Sequence, residues 1–159
     1  MRISGKGIPG LICGMAFMAA SAYARADWSV KPGTAGSGSC TLVSASVTMP
    51  DGYQDTRVRL NINDQRLLVI TQSNVDSGFG DIDLQVDGKA GIPADNVVDE
   101  QNVMFTTAIA TIIEQFRKGN SARIHLRFWP SYPATQRYPA VFSLRGFTRA
   151  WNEFLECRN

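Results

Sequence analysis

Arg123-Ile124-His125-Leu126-Arg127-Phe128-Trp129 alternates charged or polar with apolar side chains from Arg123 to Phe128 and ends on a second aromatic ring. Such a period of two predicts a strand with Ile124, Leu126 and Phe128 turned to a core. Arg123, His125, Arg127 and Trp129 then share the opposite face. A Pro- and aromatic-rich excursion follows from Pro130 to Pro139, and Ala140 to Leu144 is expected to return as a second strand. The chain closes with an amphipathic helix carrying Phe147, Ala150, Trp151 and Phe154 on one side. Arg149 and Glu153 form an i,i+4 pair on the other side, in the less favourable orientation.

That helix ends at Cys157, and its prospective partner lies far back along the chain. The first 26 residues have the pattern of a secretory leader. Arg2 and Lys6 supply the positive start, Ile8 to Ala22 is apolar and small, and Ala24-Arg25-Ala26 fits a small-x-small cleavage site. The apolar run is short and Gly-interrupted for a membrane span. No second candidate span follows it. Cys13, deep in the run after Gly10-Leu11-Ile12, lacks the preceding small residue and the later position expected of a lipid-bearing cysteine. The expected organisation is a leader at 1–26, a loose Gly/Ser-rich arm at 27–39 and a single β-rich domain at 40–159.

Removing the leader removes Arg2, Lys6 and Arg25, so sixteen bases become thirteen against fourteen acids. A sustained basic footprint for nucleic acid is therefore missing. Two cysteines remain, and an oxidising compartment makes a Cys40–Cys157 disulfide the expectation. A redox role lacks a C-x-x-C pair, and a metal role lacks further ligands.

Between these ends the strand signals recur. Thr41 to Met49 is one candidate, and Pro50-Asp51-Gly52 is a turn by chemistry. Arg57 to Asn63 alternates cleanly. Arg66 to Gln72 is apolar on both faces and so expected to be central. Asp81 to Asp87 sets Ile82, Leu84 and Val86 against Asp81, Asp83, Gln85 and Asp87. Asp95 to Phe105 holds a short apolar strand. Ile109, Ile112, Ile113 and Phe116 recur at helical spacing, with Thr106 or Thr107 as cap and Gly119 at a left-handed end. The fold class expected is a β-rich, antiparallel β-sandwich or curled sheet with two short helices, closed by one disulfide.

An early cysteine followed by strands, the Val86-Asp87-Gly88 step, a helix ending near Gly119 and a closing run from Phe142 to Ala150 with a terminal Cys157 carry a resemblance. The closing run, Phe142-Ser143-Leu144-Arg145-Gly146-Phe147-Thr148-Arg149-Ala150, is its most specific part. Together they resemble the invasion-associated locus B family of secreted proteobacterial proteins, across the mature domain but not Pro130 to Pro139. The resemblance implies a periplasmic or envelope-associated β-rich domain, with host-cell interaction in some members. It brings no catalytic residue.

Candidate chemistry is sparse. His125 is the sole histidine, too few for a His-based zinc site, and its flanking arginines oppose a second positive charge. No G-x-S-x-G elbow accompanies it. Asp76, Asp81, Asp83, Asp87, Asp95, Asp99 and Glu100 form an acidic stripe interrupted by Lys89 alone. Its spacing fails the calcium-loop pattern, and a solvated strand face is expected. Arg117, Lys118, Arg123, Arg127, Arg137, Arg145 and Arg149 fall in a segment without an acid, interleaved with aromatics. Arginine and aromatic side chains are enriched in contact surfaces.

The expected binding surface is therefore Arg123, His125, Arg127, Trp129, Tyr132, Arg137 and Tyr138, with no catalytic residue, metal or cofactor. Two other arrangements stay open. The excursion folds onto the core and buries its rings, or the Asp81 strand lies beside the Arg123 strand and the two stripes neutralise each other. The function expected is a non-catalytic exported domain, periplasmic, envelope-bound or secreted, that binds a protein or other envelope or host macromolecule. A periplasmic inhibitor or immunity-type protein is one alternative. An envelope hydrolase using the Asp76–Asp87 carboxylates is the other.

Overall fold

The computed structural model describes residues 27–33, 40–130 and 136–158. The expected leader, residues 34–39 of the expected arm and Tyr132 lie outside the described residues. Eleven strands and two helices are present among them. In order they are β1 (Trp28–Pro32), β2 (Cys40–Ser44), β3 (Val47–Pro50), β4 (Asp55–Ile62), β5 (Leu67–Thr71), β6 (Asp83–Val86), β7 (Ile92–Pro93), β8 (Asn96–Val98), β9 (Asn102–Phe105), α1 (Ile109–Lys118), β10 (Ser121–Leu126), β11 (Tyr138–Ser143) and α2 (Phe147–Arg158).

The strands make two antiparallel sheets, and the fold is β-sandwich-like. The larger runs β1-β2-β4-β5-β9-β8 with β3 paired to β4, and the smaller runs β11-β10-β6-β7. Prolines within strands fall in β1, β3, β7 and β11, none of which is paired on both sides. β5 is central, as its two-faced apolar run requires: Leu67, Val69 and Thr71 are buried and Leu68 and Ile70 half-buried.

The core lies between the sheets and under the helices. Leu60, Ile62 and Phe105 of the larger sheet, Leu84, Ile124 and Phe142 of the smaller one, and Phe116 of α1 with Phe147 and Phe154 of α2 are all but inaccessible. Along α2 the rings pack in sequence, with Phe147 and Trp151 centroids 6.1 Å apart and Trp151 and Phe154 4.9 Å apart. Cys40 and Cys157 are disulfide-bonded, their Cα atoms 6.1 Å apart. The bridge joins β2 to the last turn of α2.

Several local expectations change. Trp28–Pro32, expected as part of a loose arm, forms the five-residue strand β1, because β2 offers it a full antiparallel partner. Thr41 to Met49 is two strands, β2 and β3, separated at Ala45 and Ser46. Pro50-Asp51-Gly52 does turn the chain, with Gly52 at φ 103°. The buried Asp51 carboxylate accepts from the Tyr53 and Gln54 amides and from the Ser73 hydroxyl.

The ends of α1 depart from simple capping. Neither Thr106 nor Thr107 caps the helix; Ala108 occupies that place with no side-chain bond. Instead the Asp95 carboxylate, before β8, accepts from the Thr106 amide at 2.5 Å and the Thr107 amide at 3.0 Å. Gly119 is extended at φ −91° rather than left-handed. A Cβ there would lie 2.5 Å from Val86 Cγ1, so close packing demands the glycine.

Candidate binding surface

The smaller sheet decides how the two charged stripes meet. β6 runs antiparallel to β10, setting Asp83 opposite His125 and Gln85 opposite Arg123. On the other side of β10, β11 places Pro139 opposite His125 and Val141 opposite Arg123. The face turned away from the core is thus acidic on β6 and basic on β10, one hydrogen-bonding distance apart.

The charges pair directly. His125 donates through Nδ1 to Asp83 Oδ1 at 2.7 Å. Just beyond β10, Arg127 donates Nε to Asp81 at 2.9 Å and Nη2 to Asp81 Oδ2 at 2.7 Å, a forked contact. Arg137 reaches from before β11 to the Asp81 main-chain oxygen at 3.0 Å and to Asp83 Oδ1 at 3.3 Å. Gly91 lies close against the Asp83 carboxylate, where a Cβ would collide with Oδ2.

The Arg127 fork and the charges of Arg127 and Arg137 hold the Asp81 carboxyl below the usual carboxylate range, against the opposing effect of burial. The same hydrogen bond raises the Arg127 guanidinium. Arg127 lies with its Cζ 4.2 Å from the centroid of the Phe79 ring, a cation–π contact.

The expected solvated acidic face is therefore corrected at Asp81 and Asp83, while Asp87, Asp95, Asp99 and Glu100 are exposed. Asp81 and Asp83 are spent on Arg127, Arg137 and His125. Asp87 accepts from the Asn120 and Ser121 amides, which lower its carboxyl. Asp76 accepts from the Gly78 amide, and Glu100 from the Asn74 side chain. The Thr106 amide, followed by Thr107, brings Asp95 down to about 2. Among the described residues no group of three or more His, Cys, Asp or Glu is placed to hold a metal ion.

The seven residues of the expected surface separate accordingly. Arg123 is exposed, Trp129 is 66% exposed, and Arg137 is exposed but ion-paired. The Arg127 and His125 side chains are only 14% and 16% exposed, covered by their acidic partners. Tyr138 is buried, a correction whose cause is register: it lies opposite Leu126 and so faces the core beside Phe128. Tyr132 lies outside the described residues.

The alternation itself persists past the end of β10, with Phe128 buried through a bridge to Val75 and Trp129 donating its amide to Asn74. Among the described residues the other exposed large hydrophobic side chains are Tyr53 at 55%, Phe79 at 50% and Val141 at 47%. Phe79 sits between Gly78 and Gly80, a flanking that signals a ring on a turn rather than in a core. Trp129 walls an open hollow of about 390 Å³ with Asn74, Asp76, Ser77 and Glu100.

Chemically this is a pinned, charge-compensated base carrying exposed rings at its rim. It offers aromatic area beside a set of paired charges. No family model matches the chain, and neither does any curated protein or solved structure. No helix among the described residues is long and apolar enough to cross a membrane.

Proposed function

We infer that this protein is a non-catalytic binding domain of the exported, envelope-associated kind, similar to invasion-associated locus B proteins, and that Phe79 and Trp129 anchor its macromolecular partner. The observation that carries this is the exposure of Trp129 immediately beyond the Asp81–Arg127 fork. A large ring held at the edge of a rigid network gives contact area with little ordering cost. Arg127 supports the Phe79 ring from behind, so both rings start from a fixed base.

The carboxylates required by a hydrolase reading are already engaged with Arg127, Arg137, His125 and main-chain amides. That engagement favours binding over hydrolysis. The leader and the disulfide framework support export.

The test is crosslinking of the mature protein in its own envelope fraction, comparing wild type with Trp129→Ala and Phe79→Ala. Loss of one discrete crosslinked species from both folded variants is expected. Capture unchanged in both would overturn the assignment.

A further inference from the structure

The face of the larger sheet turned away from the core carries a second arrangement, whose lining shares no residue with the Trp129 hollow. β4 projects Asp55, Arg57 and Arg59 outward while Thr56, Val58 and Leu60 go to the core. Arg59 lies opposite Ile70 on β5, and Arg57 opposite Thr48 on β3. Neither arginine has an acidic cross-strand neighbour. Asp55 is the one acid at a strand position on this face, and no ion pair joins it to either arginine.

An open hollow of about 340 Å³ lies between them, walled by Arg57, Arg59, Ser46, Ile70 and Gln72. Gln72 Oε1 accepts from Arg57 Nε at 3.1 Å, which orients that guanidinium and leaves its terminal nitrogens directed elsewhere. Ser46 adds a hydroxyl. Two guanidinium forks and a hydroxyl around one hollow, with no acid in its wall, match the oxygens of a phosphate group.

We propose that this hollow binds a phosphate group through Arg57 and Arg59. The surroundings say what else the ligand carries. The register continues the same face from Ile70 to Leu68 and Met104, and across Asn61 to Val43, the three apolar side chains half-buried. Antiparallel sheets usually turn polar residues to solvent on their open face. An apolar strip beside a phosphate site suits a phosphate that bears a hydrocarbon portion, as a lipid headgroup does. Lys31, on the same face of β1 opposite Thr41, adds a further positive charge.

The experiment has a lipid arm and a soluble arm. Sedimentation with vesicles of phosphatidylglycerol in phosphatidylcholine reads the first, and titration with inorganic phosphate followed by amide shifts around Gln72 reads the second. Arg57→Gln/Arg59→Gln should weaken both at least tenfold. Arg117→Gln/Arg145→Gln, which removes the same charge elsewhere, should leave both within twofold. Arg57→Lys/Arg59→Lys keeps the charge, loses the forks and should fall between, and it serves should the glutamine variant fail to fold.

Phosphate binding at Gln72 without vesicle binding upholds the site and assigns it to a soluble phosphorylated ligand. Absence of both, retention of both in the arginine variants, or equal loss in the two charge-matched pairs overturns it.

Discussion

Trp28 donates its indole Nε1–H to the main-chain oxygen of Ser143 at 2.9 Å, across 115 residues of chain. The ring is also edge-on to Phe147, with centroids 4.9 Å apart, and to Phe116 at 6.1 Å. The start of the domain is thereby a wall of its aromatic core.

Trp28→Ala should consequently destabilise the fold by about 3–5 kcal/mol, the range for removing a buried large ring. Trp28→Phe keeps most of the packing and loses the hydrogen bond, and should cost about 1–2 kcal/mol. Urea unfolding of the mature chain measures both. A Trp28→Ala midpoint equal to wild type would mean that β1 is not an integral strand.

The disulfide closes a loop spanning 117 residues, for which chain entropy predicts about 5 kcal/mol as an upper figure. Cys40→Ser/Cys157→Ser should therefore melt well below the oxidised protein. Reducing agent should lower the wild-type midpoint towards that of the double variant and leave the variant unchanged. Thiol labelling of both cysteines in the native, unreduced protein would contradict the bond.

Arg127 and Trp129, adjacent on one alternating stretch, should respond oppositely to truncation. Arg127→Ala leaves the two-thirds covered Asp81 carboxylate with Arg137 alone as ion-pair partner, 3.8 Å away, and should cost about 1–3 kcal/mol. Trp129→Ala removes an exposed ring and should change stability by no more than about 0.5 kcal/mol. Its effect belongs to partner capture, where an anchor residue carries about 2 kcal/mol or more. Thermal melts paired with the envelope crosslinking assay separate the two.

Stability should fall on acidification. Asp51, Asp81 and Asp95 all sit below the ordinary aspartate value of 3.8, Asp95 at about 2. A group whose pKa is depressed by folding is stabilising above its unfolded value, about 3.9. That contribution is lost as the pH drops through the folded value, since the unfolded chain takes up protons first. Melting temperature should be flat above about pH 5 and decline between about pH 4 and pH 2. Asp95→Asn should blunt the lower part of that decline; a variant profile superimposable on wild type would contradict the Thr106 and Thr107 contacts.

Gly119→Ala isolates packing from backbone conformation. At φ −91° an alanine is unstrained, yet its Cβ would press on Val86 Cγ1 at 2.5 Å and on the Gln115 oxygen at 2.9 Å. Overpacking of this kind costs about 1–3 kcal/mol. A variant as stable as wild type in urea would show that β6 and α1 yield freely.

Much of the fold was legible because it is local. The alternations of β4, β6 and β10, the two-faced apolar run of β5 and the stripe of α2 each declare themselves within a few residues. Features settled by distant neighbours were not. β1 is a strand because β2 pairs with it, and the α1 terminus is held by Asp95 across a hairpin rather than by an adjacent threonine. β7 and β8, two and three residues long, are too short for any period to show.

The candidate surface divides the same way. Exposure of Arg123 and Trp129 follows from alternation alone. Whether the acidic and basic stripes stand free or cancel depends on β6 lying next to β10, which is a matter of strand order. Tyr138 went to the core because the strand begins there and not at Ala140.

The prolines of β1, β3, β7 and β11 have a consequence for how molecules of this protein behave in a crowd. A strand left unpaired on one side is a template on which another chain adds by backbone hydrogen bonding. Pro32, Pro50, Pro93 and Pro139 each remove a donor from such a strand. Among the described residues only β8 is an edge strand without a proline, and it is three residues long, so the sheets offer little unpaired backbone on which another chain can add. Replacing Pro93 or Pro139 by valine should leave the monomer folded and shorten the time to visible aggregation on agitation.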